Sequence, residues 1–322
     1  MKKVGIIGGA GYTAGELIRI LINHPEVVIH FVHSNSNAGN KIYTVHSGLI
    51  GDTELVFTDQ LPLNEIDVLF FCTAHGDTKK FIDAHPIPKG LKVVDLSTDY
   101  RKESAEHVFV YGLPELNKTR IQKAERIANP GCFATAIQLA LLPLANAQLL
   151  KNEVHINAVT GSTGAGQKPT ETSHFSWRND NLSVYKAFEH QHLAEISRSL
   201  KQLQTDFSAD INFIPMRGNF SRGIFVTAYT DCDLSVDEAK KLYRDFYADA
   251  CFTFVADKNV DLKQVVNTNK GLLYLEKHGR KLLIISAIDN LLKGASGQAV
   301  QNMNLLFGWD EKAGLNLKSI AF

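Results

Sequence analysis

The feature that most constrains the fold is a glycine-rich turn at the start of the chain. The apolar run KVGII (3–7) leads into GGAGYTAG (8–15), and AGELIRILINHP (14–25) then places apolar residues at 17, 18, 21 and 22. That spacing gives one face of a helix, and Pro25 marks its end. Gly8, Gly11 and Ala14 form a G-x-x-G-x-x-A turn, in which a pyrophosphate can approach the N–H groups at a helix start. The opening therefore predicts a β-α-β unit that binds a dinucleotide.

Three further apolar runs extend this pattern: VVIHFV (27–32), VLFFC (68–72) and KVVDL (92–96). They are mostly apolar and do not alternate with polar residues. This pattern is typical of strands in a parallel sheet that is covered on both faces. The first part of the chain is therefore predicted to be an α/β domain with a doubly wound parallel sheet of the Rossmann type.

The end of the second predicted strand indicates which dinucleotide binds. A site for NAD places an Asp or Glu there to bind the ribose 2′-hydroxyl. The segment HFVHSNSNAGNK (30–41) has no acidic residue, and instead offers Ser34, Asn35 and Ser36 as donors to a 2′-phosphate, with Lys41 as an added charge. This favours NADP. The residues of the first domain predicted to bind it are Gly8, Gly11, Tyr12, Thr13, Ala14, Ser34 and Ser36.

Composition narrows the class of protein. A chain of 322 residues with 44% hydrophobic residues is long enough for two domains with their own cores. The 34 basic and 34 acidic residues cancel, which argues against a nucleic-acid binder, and no apolar stretch reaches the length of a membrane span. The cysteines form no CxxC pair, which argues against a disulfide framework and a zinc site. We expect a soluble cytoplasmic protein. The cysteines are Cys72, Cys132, Cys232 and Cys251.

Cys132 lies in an unusual setting, ANPGCFATAI (128–137). Pro130 and Gly131 end any preceding element, and the following run, FATAIQLALLPLANAQLL (133–150), has a helix-forming composition. In the first turn of a helix, unpaired N–H groups and the helix dipole favour a thiolate. Two interpretations stay open from this stretch alone: a nucleophile, or a buried structural cysteine.

The second half of the chain begins with a predicted strand that runs into a glycine-rich loop, KNEVHINAVTGSTGAGQKP (151–169). The backbone N–H groups of this loop and the hydroxyls of Ser162 and Thr163 can hold an anion. It lacks the G-K-[ST] ending of an ATP-binding loop, so a phosphate-bearing substrate fits better than a nucleoside triphosphate. The alternative is an ordinary flexible loop.

A pair of histidines follows in YKAFEHQHLAEI (185–196), with Glu195 three residues after His192. Metal ligation is disfavoured, because no other cysteines or acids have a matching spacing. The two remaining interpretations are solvated surface histidines and a histidine acid/base oriented by a carboxylate, which a cysteine nucleophile requires nearby.

As a set, the motifs resemble those of the N-acetyl-γ-glutamyl-phosphate reductase family, relatives of aspartate-semialdehyde dehydrogenase. The similarity runs from end to end, in the family's order: GAGYTAGEL, VVDLSTDYR, YGLPEL, NPGCFAT, GSTGAG, YKAFEHQHLAEI, SRGIFVT and DNLLKGASGQAVQNMNLLFG. Two positions differ: the family often has proline where this chain has Ala134 and Ala194.

The resemblance implies roles for individual residues. Cys132 is the expected nucleophile, His190 the acid/base, and Glu195 the carboxylate that holds the site together. For a substrate anion, Arg222 is preferred over Arg217 because GIFVT follows it. The predicted substrate-binding residues are Ser162, Thr163, His192, Tyr185, Arg222 and Arg101, and Gly164 and Asn290 join the predicted cofactor-binding set. No metal is expected.

The resemblance also implies a layout and a reaction. A Rossmann domain (1–145, completed by 290–322) precedes an α+β domain (146–289) whose sheet joins subunits into a homodimer or homotetramer. The expected reaction is the NADPH-dependent conversion of N-acetyl-γ-glutamyl phosphate to N-acetylglutamate 5-semialdehyde through a Cys132 thioester, with His190 acting as an imidazolium. Three alternatives stay open: a different acyl group such as succinyl, aspartate-semialdehyde dehydrogenase activity, and a regulator that senses NADP or redox state.

Overall fold

A computed structural model describes residues 1–102 and 104–320 of the chain. They form two compact units. The first is Met1–Pro130 with Ala295–Asn316, and the second is Gly131–Gly294 with the chain end from Leu317. The chain passes to the second unit before the helix that starts at Cys132, whereas the expected boundary lies after it, near residue 145. The physical reason is that this helix packs on the sheet of the second unit.

The first unit contains a sheet whose strands pair in the order β3-β2-β1-β4-β5-β7-β6, and the observed pairs are parallel. The strand order reverses between β1 and β4, the position where doubly wound sheets bind their ligands. The predicted Rossmann-type sheet is confirmed, and each predicted strand differs by no more than one residue at an end. The strands are β1 (Lys2–Ile7), β2 (Val27–His33), β3 (Phe57–Thr58), β4 (Val68–Phe71), β5 (Lys92–Asp95), β6 (Val110–Tyr111) and β7 (Arg126–Ala128).

Helices cover this sheet, and one of them comes from the end of the chain. The helices of the first unit are α1 (Tyr12–Leu21), α2 (Asp77–Ala84), α3 (Pro114–Gln122) and α8 (Gly297–Phe307). Helix α8 packs against α1, α3 and β5. Its buried Asn302 donates to the carbonyl of Gly112 at 2.8 Å and to Asn129 at 3.0 Å, which ties the C-terminal helix to the loop after β7.

The second unit contains a mixed sheet with the order β12-β13-β14-β11-β8-β10-β9. Its strands are β8 (Val154–Thr160), β9 (Ser183–Val184), β10 (Ile211–Arg217), β11 (Ile224–Asp231), β12 (Thr253–Val255), β13 (Gly271–His278) and β14 (Lys281–Ile288). Residues of β8 and β11 alternate between buried and half-buried, so the sheet has one covered and one open face.

Helix α4 fills the covered face and is buried along almost its whole length. It packs on β11, β14 and α6, and the hydroxyls of Tyr243 and Tyr247 donate to the carbonyls of Ala140 and Leu139 at 2.5 and 2.7 Å. No helix in the described ranges is both long enough and apolar enough to cross a bilayer. The helices of the second unit are α4 (Cys132–Asn146), α5 (Phe175–Arg178), α6 (His192–Leu203) and α7 (Val236–Phe246).

Candidate active site

Cys132 is the first residue of α4, as the sequence predicted. Gly131 caps the helix with extended backbone angles, and its carbonyl accepts the N–H of Thr135 at 2.8 Å. The Cys132 side chain is partly exposed. By contrast, Cys72 is buried at the end of β4, where burial raises the pKa of its thiol to about 12. Of these two thiols, only Cys132 combines access with a helix start.

Glu195 fixes the backbone immediately before Cys132. Its buried carboxylate accepts the N–H of Gly131 at 3.0 Å, and the other carboxylate oxygen lies 3.9 Å from Nε2 of His192. The imidazole of His192 lies directly against Gly131, where an added Cβ would come within 2.2 Å of Nε2. The glycine before the cysteine is therefore required by the second histidine of the pair. Glu195 and His192 together define where α4 begins.

His190 is buried, with 5% of its surface exposed. The pKa of its imidazole is lowered to about 4, chiefly by burial and also by the charge of Lys186, while Glu195 opposes both effects. Its Nδ1 lies 3.2 Å from the N–H of His192 and accepts that hydrogen, so the neutral ring carries its proton on Nε2. The sequence analysis expected His190 to act as an imidazolium during the reaction, whereas these contacts favour a neutral imidazole that offers an Nε2–H donor.

Aromatic rings surround His190. Phe133 and Phe213 meet the imidazole edge-on, each at a centroid distance of 5.5 Å, and Tyr185 meets it at 5.9 Å. Burial raises the pKa of Tyr185 to about 12, and the nearby Cys132 contributes to that rise. Tyr185 therefore stays a phenol beside both the cysteine and the histidine. This apolar wall accounts for the uncharged state of His190.

The backbone between Tyr185 and His190 is strained. Lys186 and Phe188 both adopt left-handed backbone angles, with φ of 46° and 62°. Such angles are unfavourable for large side chains and concentrate at functional sites. The turn directs the Lys186 amine to the side chain of Gln191 at 3.3 Å, on the same segment as His190.

Gly294 lies directly against Cys132. The sequence did not mark it as a residue of the site. A Cβ at Gly294 would lie 2.8 Å from the Cβ of Cys132. Gly294 belongs to a wide π-helical turn, Leu292–Ser296, of the type found at functional sites. The available signal was the glycine in the KGASG run after Asp289-Asn290.

Arg222, the residue predicted to bind a substrate anion, forms an ion pair. Its Nε and Nη2 donate to the Asp289 carboxylate at 3.1 and 3.2 Å. Asp289 is fully buried and also accepts the N–H groups of Asn267, Leu291 and Leu292 at 2.7, 2.8 and 3.1 Å. The charge of Arg222 is therefore balanced within the protein.

The glycine-rich loop is built differently from the anion cradle that the sequence suggested. The N–H groups of Ser162 and Thr163 donate to the carbonyls of Phe220 and Ser221 at 2.8 and 3.1 Å. The Thr163 hydroxyl donates to Ser221 at 2.5 Å and accepts from Asn290 at 3.0 Å. These amides hold the loop against a neighbouring segment, so the loop does not direct them at an anion. The half-exposed hydroxyl of Ser162 remains a candidate contact.

Asn290 and Gly164, the second-unit residues of the predicted cofactor set, lie side by side. Asn290 is buried and accepts the N–H of Gly223 at 2.7 Å. A Cβ at Gly164 would lie 3.2 Å from the hydroxyl of Thr160 and 4.0 Å from Nδ2 of Asn290. Both residues therefore belong to one packed corner of the second unit.

Arg101 supports the loop that precedes Cys132 in sequence. Its buried guanidinium donates to the carbonyls of Asn129 and Leu96 at 2.8 and 2.9 Å. These bonds fix the end of β7 and the Asn129 backbone. The contacts favour a positioning role for Arg101, and its predicted contact with substrate stays a prediction.

The glycine turn after β1 fits a dinucleotide phosphate. Gly8 has a φ of +78°, and a Cβ there would lie 2.7 Å from the carbonyl oxygen of Cys72. A Cβ at Gly9 would lie 2.3 Å from Val32, whereas a Cβ at Gly11 would have its nearest neighbours at 3.8 Å. The first two glycines are therefore required by packing, and the third leaves the backbone open at the start of α1.

The first turn of α1 holds the other predicted cofactor residues of this motif. Tyr12 is exposed, Ala14 is buried against the sheet, and the carbonyl of Thr13 accepts the hydroxyl of Ser296 at 2.7 Å. The helix start is thus anchored while its N-terminal face is exposed at Tyr12.

Serines follow β2, as predicted, but the lysine behind them is paired. The Asn37 amide donates to Ser34 at 3.0 Å and to Ser36 at 3.1 Å, which holds the two hydroxyls together. Lys41 forms an ion pair with Glu54 at 2.5 Å. The expected extra charge from Lys41 is therefore balanced by Glu54, and the hydroxyls carry the argument for a 2′-phosphate.

Comparison with known proteins decides the family. Residues 3–124 match the semialdehyde dehydrogenase NAD binding domain, and residues 132–290 match the semialdehyde dehydrogenase dimerisation domain. The N-acetyl-gamma-glutamyl-phosphate reductase of Parabacteroides distasonis is 66% identical over 322 residues, which is 100% of both chains. That of Christiangramia forsetii is 60% identical over 319 residues, 99% of both chains. The chain belongs to the N-acetyl-γ-glutamyl-phosphate reductase family.

Solved structures share the fold of this reductase-family chain at low identity. Aspartate semialdehyde dehydrogenase II of Vibrio cholerae superimposes with a TM-score of 0.74 and 16% identity, covering 96% of this chain and 98% of that one. The Candida albicans enzyme, solved with NADP, gives a TM-score of 0.72 and 16% identity, covering 98% and 99%.

The two departures from the usual pattern of the reductase family lie in first helical turns. Ala134 is the third residue of α4, and Ala194 is the third residue of α6. The N–H groups of a first turn have no partner within the helix, so proline and alanine are both compatible there. Neither alanine disturbs the start of its helix.

Proposed function

We propose that this protein reduces N-acetyl-γ-glutamyl phosphate to N-acetylglutamate 5-semialdehyde with NADPH, in arginine biosynthesis. The observation that carries the proposal is the position of Cys132 at the start of α4, after a glycine whose N–H is held by Glu195. Its full-length relatives bear the name of this reductase.

Cys132 begins the chemistry by attacking the acyl carbon of the substrate. The thiolate forms the C–S bond, the bond from carbon to the phosphate oxygen breaks, and inorganic phosphate leaves with the electron pair of that bond and takes a proton from water. The product of this step is a thioester on Cys132. The helix start stabilises the sulfur as an anion before the attack and after the later collapse.

When bound, NADPH supplies the hydride that reduces the thioester carbon. His190 then contributes as a hydrogen-bond donor, because its neutral ring carries a proton on Nε2. That donor stabilises the negative oxygen that develops at the former carbonyl, and collapse releases the aldehyde and the Cys132 thiolate. A ring that stays neutral makes this contribution without first taking up a proton.

The glycine turn and the serines after β2 support NADP as the cofactor. The open backbone at Gly11 admits a pyrophosphate, and the paired hydroxyls of Ser34 and Ser36 are donors to a 2′-phosphate. The NAD binding domain of the family covers this whole region.

The open face of the second-unit sheet supports a homodimer or homotetramer of a cytoplasmic enzyme. His155 on β8 stacks on Tyr229 of β11 at a centroid distance of 4.9 Å, and both rings are on strands of the matched dimerisation domain. Aromatic rings on a half-buried sheet face are typical of a subunit interface. Light scattering of the purified protein measures the number of subunits.

The reaction is tested in reverse. Purified protein is mixed with N-acetylglutamate semialdehyde, NADP⁺ and phosphate, and NADPH is followed by absorbance, with Cys132→Ser alongside. We expect phosphate-dependent NADPH formation in the wild type and its loss in the variant. Activity restricted to the succinyl analogue would change the acyl group, and activity restricted to aspartate semialdehyde would change the substrate. Absence of turnover with all three would contradict the proposed enzyme and favour a regulator.

A further inference from the structure

Two arginines in the second unit lie beside the wall of the active site. The guanidinium carbon of Arg217 lies 4.8 Å from the ring centroid of Tyr185, whose ring also lies 5.9 Å from that of His190. Arg178 is buried and donates to the Arg217 carbonyl at 2.8 Å. Arg217 itself is half-buried at the end of β10.

These two charges lack a carboxylate partner within the described part of the chain. Arg178 donates to the carbonyls of Thr172 and Arg217 and to the hydroxyl of Ser183. Arg217 has a long contact, at 3.5 Å, with the hydroxyl of Thr172 and a side-chain hydrogen bond with Tyr185, both uncharged groups. Its buried Nε has no hydrogen-bond partner among the described residues. A buried guanidinium hydrogen without an acceptor is costly. The arrangement is therefore suited to receive an anion.

Arg222 provides the contrast. Its guanidinium is paired with Asp289, which is fully buried and accepts further backbone N–H groups. An arginine whose charge is already balanced gains little by binding a second carboxylate, whereas an unbalanced arginine gains a charge-assisted, two-point contact. The difference between Arg217 and Arg222 is thus one of charge balance, which the sequence alone does not reveal.

We propose that Arg217, supported by Arg178, binds the α-carboxylate of the substrate. This inference rests on the proposed function, whose substrate carries two anions. The phosphate is bonded to the acyl carbon that Cys132 attacks, so it has to lie close to the sulfur. Three carbon atoms separate the α-carboxylate from that acyl carbon. A guanidinium that lies against the Tyr185 ring at the end of β10 fits the more distant anion.

The reverse reaction separates the two anions, because the semialdehyde carries the carboxylate and phosphate is a separate substrate. In Arg217→Gln we expect the KM for the semialdehyde to rise about 10- to 100-fold, the range for loss of a hydrogen bond to a charged group. The KM for phosphate should stay unchanged. Arg217→Lys keeps the charge without the planar fork and should give a smaller rise.

A second comparison uses the substrate. The wild-type enzyme should discriminate strongly against the α-methyl ester of the semialdehyde, and Arg217→Gln should lose most of this discrimination. Arg280→Gln is the matched control, since it removes the same charge from the exposed turn between β13 and β14 and should leave both KM values unchanged. A structural effect of the substitution would not act selectively on the carboxylate.

Several outcomes would overturn the assignment. A rise in the KM for phosphate alone would make Arg217 a phosphate ligand, and a selective semialdehyde effect in Arg222→Gln but not in Arg217→Gln would return the role to Arg222. If Arg217→Gln fails to fold, equal wild-type activity on acid and ester still refutes the proposal. If the wild-type protein shows no turnover, the proposed function is refuted together with this assignment. If it turns over and the variants have unaltered KM values, only the assignment of Arg217 is refuted.

Discussion

At the scale of single residues, the ionisation of His190 distinguishes this site from a simple pairing of a cysteine with a charged histidine. Water is excluded from the imidazole by the rings of Phe133, Phe213 and Tyr185. The positive charge of the nearby Lys186 disfavours a second positive charge on His190. The ring is therefore held in one neutral tautomer by the N–H of His192. Preorganised donors of this kind stabilise an oxyanion without reorganising.

Histidine ionisation is directly measurable. In ¹⁵N NMR of histidine-labelled protein, we expect the signals of one imidazole to report a neutral ring with its proton on Nε2 from pH 7 down to about 4. These signals should be missing from the spectrum of His190→Asn, which assigns them to His190. Between pH 6.5 and about 4 the unfolded chain binds a proton that folded His190 does not, so the free energy of unfolding falls as pH falls through that range. His190→Asn should lose this part of the pH dependence. Titration of that ring near pH 6.5 would contradict the assignment.

Glu195 is the other residue whose effect is predictable. Glu195→Ala removes the acceptor of the buried Gly131 N–H, which should lower the free energy of unfolding by about 1–3 kcal/mol and reduce kcat. Glu195→Gln keeps an oxygen acceptor and should recover most of the stability. Thermal unfolding and steady-state rates of the two variants check this. Equal losses in both would show that the charge matters more than the contact with Gly131.

At the scale of elements, the start of α4 is fixed by close packing around two glycines. His192 lies against Gly131, and Gly294 lies against Cys132 from the π-helical turn. Neither position has space for a methyl group. The nucleophile is therefore placed by the side chain of His192 and the backbone of Gly294, which belong to two other segments, as well as by its own helix.

This packing predicts a sensitive glycine. Gly294→Ala places a Cβ within 2.8 Å of the Cβ of Cys132, so the sulfur has to move and kcat should fall by about 100-fold, the effect expected for a misplacement of about 1 Å. Gly48→Ala is the control, because a Cβ there has no neighbour within 4 Å. Equal kcat values in the two variants, measured with both proteins folded, would refute a close fit at Gly294.

The elements also show which features are readable from sequence. The strands of the first unit and the start of α4 follow from local signals: apolar runs, glycine turns and the Pro130-Gly131 break. The sequence suggested that the glycine-rich loop holds an anion, but the carbonyls that accept its N–H groups belong to Phe220 and Ser221, far along the chain. Arg222 and Asp289 are likewise distant in sequence. Local patterns report conformation, whereas hydrogen-bond partners depend on the fold.

At the scale of the whole molecule, the chain combines two folding units whose functions are separable in sequence. The first unit carries the dinucleotide motif and takes back α8 from the chain end, and the second carries the cysteine, the histidines and Glu195. The order of motifs predicted a Rossmann-type unit, a following α+β unit and the return of the C-terminal helix to the first unit. The protonation of His190 and the charge balance of the arginines were not predictable, because they depend on burial created by residues from several strands and helices.

In the proposed mechanism Cys132 carries the acyl group as a thioester, and a burst experiment without phosphate detects this intermediate. The protein is mixed rapidly with N-acetylglutamate semialdehyde and NADP⁺ in phosphate-free buffer, and NADPH absorbance is followed. We expect one NADPH per active site, followed by a stop until phosphate is added, and no burst in Cys132→Ala. A burst of the same size in Cys132→Ala, or steady turnover of that variant with phosphate, would contradict the thioester and with it the assignment of Cys132.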